Sequence, residues 1–168
     1  MSNQPRRLPI ALHFDRDEWE LLVTLPRRIL IAASTATAEG PEPGVADGLA
    51  GLAAIASGHD SPSQLIREVV AAIYAEFLHD EEASSEAEPP GNRARTLAAA
   101  GRASEVLSGR VDPTDASAYT RWLGDIASAV VGASATSAGA PGNRVRLADH
   151  GFLDQLRSAL STGPGADA

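Results

Sequence analysis

The sequence predicts an all-α protein of about seven helices in one compact domain, and three observations lead there. No segment sustains the alternation of apolar and polar residues that a half-buried strand requires. Apolar residues recur instead at three- and four-residue spacing, punctuated by Gly and Pro. Helix-start signatures, a capping Asp or Ser followed by Pro or by an acid or amide, precede several of these stretches. At 168 residues the chain is long enough to bury a sizeable core. Aromatic residues make up only 4% of it and much of the apolar content is Ala, so that core must form by close approach of small-residue helices around a few Leu, Ile and Trp.

Residues 1–13 read as a flexible arm without the long apolar run of a signal peptide. The helical domain spans 14–161, with halves 14–78 and 93–161. The first helix signal is FDRDEWELLVTL: Asp15 caps, Glu18 closes a capping box, and Phe14 staples onto Trp19. Pro26 restarts a helix whose stripe is Leu25, Ile29, Ala32, Ala33 and Ala36. After a Gly/Pro break, GVADGLAGLAAIASG places Val45, Leu49, Leu52, Ala53 and Ala56 in register, the face expected to pack inward. SPSQLIREVVAAIYAEFLHD follows, with Ser61 as cap, Pro62 as first helical residue and Gln64 completing the box. Its wide face of Leu65, Ile66, Val69, Val70, Ile73, Tyr74, Phe77 and Leu78 marks a central helix. The acidic linker 79–92 ends in Pro-Pro-Gly. Arg93–Leu107 forms an Arg-bearing helix, and Asp112 caps another through Tyr119, Trp122, Leu123, Ile126, Val130 and Val131. The last helix carries Phe152, Leu153, Leu156, Ala159 and Leu160, and 162–168 is a disordered tail.

The two halves resemble each other. Aligning 33–45 with 133–145 pairs Ala33 with Ala133, Ser34 with Ser134, Ala38 with Ala138, Pro41 with Pro141 and Val45 with Val145. Each copy follows a Trp-led apolar helix and leads to Ala-Asp and a further helix, so a pseudo-repeat of two helix-loop-helix units is expected. Within it, AEGPEPGVAD at 38–47 and AGAPGNRVRLAD at 138–149, the latter preceded by RWLGDIASAVVGA, resemble the TerB-like helical domain associated with tellurite resistance. The resemblance implies an all-helical, non-catalytic accessory or scaffold module linked to stress response, with acidic residues at its helix-loop-helix turns and an association with divalent cations. Carried over by position, Glu39 stands at the loop acid, and Asp47 and Asp149 at the helix-start acids. Gly139 replaces the loop acid in the second copy, which leaves the first loop the better cation candidate.

Composition removes whole classes of chemistry. Without Cys there is no disulfide, thiolate nucleophile or Cys-bound metal, and without Lys there is no Schiff base or P-loop lysine, since all 14 basic residues are Arg. A net charge of −8 repels nucleic-acid phosphates and anionic membrane, and the longest small-apolar run is too short to span a bilayer. A cytoplasmic protein is expected, with no nucleic-acid partner, no membrane insertion, and a homodimer or another protein as its contacts. Glu39, Glu42 and Asp47 read two ways. They are oxygen ligands for a hard cation such as Ca²⁺, Mg²⁺ or Mn²⁺, or a first-turn acid with two solvated loop charges. The doublets His59-Asp60 and His79-Asp80 raise an alternative, a metal-dependent phosphohydrolase of the HD type, although a turn and a helix end are poor frames for ligands. A third alternative is a protein-interaction module with no ligand. Arg93, Arg95, Arg102 and Arg110 are candidates to clasp the acidic linker. No Ser/His/Asp arrangement suggests a nucleophile.

Overall fold

The computed structural model describes residues 8–37, 45–79, 93–137 and 143–161. Among them it contains six α-helices: α1 (Arg16–Thr37), α2 (Val45–Ser57), α3 (Gln64–His79), α4 (Arg93–Arg110), α5 (Pro113–Ser137) and α6 (Asn143–Ser161). Short 3₁₀ turns at Ile10–His13 and Gly58–Asp60 precede α1 and α3, and the described residues include no strand. One contiguous core draws on all six helices. α1 packs along α5 at its centre. α2 lies chiefly on α5, α3 on α1 and α5, and α4 on α1, while α6 packs most on α4. The helix-loop-helix pairs α1–α2 and α5–α6 therefore do not make interchangeable contacts.

The start of α1 follows its sequence signature. The Asp15 carboxylate accepts from the Glu18 amide at 2.9 Å, and Glu18 accepts from the Asp15 amide at 3.0 Å. Phe14 and Trp19 stack with centroids 6.0 Å apart, closing the staple. At the start of α5 the Asp112 carboxylate accepts from the Thr114 amide at 2.8 Å. That bond, helped by the Thr114 hydroxyl, holds the exposed Asp112 carboxyl below its usual range.

Pro26 does not restart a helix: α1 runs straight through it, which is why six helices replace the expected seven. Proline lacks the N–H that Leu22 C=O would accept, the bond that normally closes the turn four residues back. Here the Tyr119 hydroxyl of α5 donates to Leu22 C=O at 2.6 Å, and both residues are fully buried. A long-range partner thus completes the turn that proline opens.

The N-terminal arm also departs from expectation. From Leu8 onward it is docked, because both Glu68 carboxylate oxygens accept from consecutive amides, Ile10 at 3.0 Å and Ala11 at 3.1 Å. Gln64 Nε2 bridges Glu68 and Leu8 C=O, and Ile10 is buried. Gln64 is therefore not the partner in a capping box with Ser61. α3 begins at Gln64, Ser61 Oγ accepts from the Ser63 amide, and buried Ser63 donates its hydroxyl to Asp115 at 2.6 Å. Of the face expected for α3, Leu65, Ile66, Val69, Val70 and Ile73 are buried, but Tyr74 is exposed. The side chains of Phe77 and Leu78 lie outside the described residues. α4 buries small residues, with Ala99, Ala100 and Ala103 in the core and Ser104 Oγ donating to Leu160 C=O of α6 at 2.9 Å. The Arg93 guanidinium lies 4.8 Å from the Phe152 ring, a cation–π contact that joins α4 to α6.

Candidate functional site

The feature that calls for a functional account is the orientation of α2. Its expected inner face is its outer one: Val45 is 80% exposed, Leu49 62% and Leu52 48%, with Ala46 and Ala53 also exposed. The buried side carries Asp47, Gly51 and Ile55. The reason is contact distance. A Cβ on Gly51 would stand 2.6 Å from Leu30 Cδ1 and 2.9 Å from Val130 Cγ2. At Gly58, just past the helix end, it would meet Ile66, Val70 and Trp122 at 2.8–3.0 Å. Those larger side chains occupy the space that two glycines leave, so α2 seats deeper than any Leu-bearing face would allow. Trp122 Nε1 donates to Ala54 C=O at 3.1 Å and fixes the rotation.

What faces outward is an apolar stripe at i, i+4 and i+7, roughly 10 Å long at 1.5 Å rise per residue. No charged side chain interrupts it, because Asp47, the sole charged residue of α2, is turned inward at 6% exposure. Periodicity alone pointed to the wrong face. The signal that would have found it is the seam of small residues Gly51, Ala54 and Gly58, which competes with the Leu face for the inside.

Of the expected cation ligands, only Asp47 has its side chain among the described residues. Asp47 sits in the first turn of α2, where an acid complements the helix dipole. Asp149 belongs to α6 with its side chain outside the described residues, as Glu39 and Glu42 are entirely. No group of three or more His, Asp or Glu residues among those described is placed to hold a metal. His59 and Asp60 precede α3 and His79 ends it, the side chain of His79 and all of Asp80 lying outside the described residues. His59 Nδ1 lies 3.4 Å from Asp60 Oδ1, both side chains standing largely in solvent.

Two open surface clefts lie among the described residues. One, of about 440 Å³, lies between α1 and α4 and is lined by Asp17, Glu20, Arg28, Arg102 and Glu105 among others. The other, of about 420 Å³, lies between α5 and α6 over Leu153, Leu156 and Leu160. Neither includes a histidine in its lining. Of the arginines proposed to clasp the linker, Arg110 pairs with Glu18 at 2.9 Å. The linker from Asp80 to Asn92 lies outside the described residues. No described helix is long and apolar enough to cross a membrane.

Comparison with protein-family models, with curated proteins and with solved structures finds no match to this chain.

Proposed function

We propose that this protein is a non-catalytic helical interaction module that docks a partner on the outer face of α2. The observation that supports it is the uncharged stripe of Val45, Leu49 and Leu52 on a helix whose inner face is closed by glycine contacts. Large apolar side chains left together in water carry a cost that a monomeric protein ordinarily removes by burial, and contiguous ones mark contact surfaces. This role keeps the accessory or scaffold part of what the TerB-like resemblance implies. It includes neither a cation nor a hydrolytic centre. Heat on titration with millimolar Ca²⁺, Mg²⁺ or Mn²⁺, lost in Asp47→Asn, would restore the cation.

A photo-crosslinking side chain at position 49 tests the docking face in cells that express the protein. It is expected to give discrete adducts that disappear when Leu52 is changed to Asp, whereas the same probe at exposed Arg121 gives none of them. Identical adducts from both positions, or none from position 49, would refute the role.

A further inference from the structure

Resting on that docking face, we infer that its occupant is a second copy of this chain, packed antiparallel, α2 against α2, about a twofold axis. Charge is the first argument. Each copy carries −8, so two copies associate only through a surface that brings no like charges into contact. The outer half of α2 is such a surface. From Val45 to Ala56 it presents only Val, Leu, Ala and Gly, and the one acid of the helix, Asp47, is turned inward.

Shape is the second argument, and it makes the surface its own complement. Val45, Gly48, Leu49 and Leu52 stand at i, i+3, i+4 and i+7, the four positions that form a hole for a side chain of a facing helix. Gly48 deepens that hole, because a Cβ there would have nothing within 4 Å and the space above it is open. A twofold axis passing midway between residues 48 and 49 sets Leu49 of each copy over Gly48 of the other. The same axis sets Val45 against Leu52, so each copy gives a knob and receives one. Three large apolar side chains, all exposed in a single copy, are then covered together. The 13 residues of α2 make a face roughly 20 Å by 10 Å, about a quarter of the 800 Å² that each side of a standard interface buries. The dimer is therefore weak and depends on concentration.

Sedimentation of the full chain from about 10 µM to about 1 mM tests this, and the mass is expected to rise from monomer toward dimer across that range. The equilibrium should move further toward dimer between about 0.1 M and about 1 M salt, as the screening length falls from about 10 Å to about 3 Å and the two −8 charges cease to repel. Leu49→Asp should weaken association at least tenfold. Mixing it with Leu49→Arg chains should restore association, because the two positions lie beside each other across the axis. Gly48→Leu is the sharper variant. It adds apolar surface, which strengthens indiscriminate sticking, yet it fills the hole, so it should also weaken the dimer at least tenfold. Leu49 is mostly in solvent and Gly48 has room for a side chain, so helical circular dichroism should stay unchanged in each variant. A dimer that survives Gly48→Leu overturns this inference. So does a chain that stays monomeric at about 1 mM. In that case, adducts with other proteins from the crosslinking probe at position 49 leave the docking face standing, and their absence removes both.

Discussion

Replacing Tyr119 with Phe removes one oxygen from the core and leaves Leu22 C=O without the donor that substitutes for Pro26 N–H. The phenol is fully buried and its ring keeps its edge contact with Trp122, with centroids 5.8 Å apart, so packing is nearly conserved. The loss is that of a buried carbonyl with no route to water, about 1–3 kcal/mol. In a domain of this size that lowers Tm by about 2–4 °C for each kcal/mol. Urea unfolding followed by circular dichroism measures the change. Specificity comes from a second substitution. Pro26→Ala returns a backbone N–H four residues after Leu22, so the cost of Tyr119→Phe should shrink in that background, with a coupling of about 1–2 kcal/mol. Loss below about 0.5 kcal/mol in Tyr119→Phe, the ordinary range for an inconsequential substitution, would refute the account. So would additivity of the two changes.

The same phenol makes a prediction in pH. Burial pushes its ionisation well above the ordinary tyrosine range, so it stays a neutral donor when folded. Its contribution is complete below about pH 10, where unfolded tyrosine is also neutral. It is lost as pH rises further, because only the unfolded chain then releases the proton, at about 1.4 kcal/mol per pH unit. Tyr119→Phe should flatten that alkaline slope in urea midpoints measured from pH 9 to 11. Gly51→Ala should cost about 1–3 kcal/mol by overpacking against Leu30 and Val130. Gly48→Ala, with nothing within 4 Å, should instead stabilise by about 0.5–1 kcal/mol; equal effects at the two sites in chemical denaturation would contradict the seating of α2. Glu68→Ala should raise hydrogen exchange at the Ile10 and Ala11 amides by an order of magnitude or more with little change in α5, and unchanged protection would show that the arm is held by other means.

Local signals were legible at most sites where both partners lie within one turn. The Asp15–Glu18 box, the Phe14–Trp19 staple and the Asp112 cap form as their spacing predicts, and so does most of the buried face of α3 and α5. What escaped depends on residues far away in the chain. Pro26 reads as a break because nothing near it reveals Tyr119, 93 positions later. The Ser61 box fails because Gln64 has a better use, bridging Glu68 and Leu8 C=O. α2 inverts because periodicity weighs hydrophobicity, whereas the core here rewards depth of approach, which glycine alone permits at Gly51 and Gly58. The exposed stripe was therefore in view in the sequence as the right residues assigned to the wrong side.

The glycine seam of α2 also divides the helix into two independent sets of positions. Seating depends on Gly51, Ile55 and Gly58, and none of these reaches the surface. Positions 45, 49 and 52 are free of the core, so they can change without renegotiating the fold. Drift along the outer stripe thus leaves the scaffold intact, and relatives of this chain should vary more at those three positions than along the glycine seam.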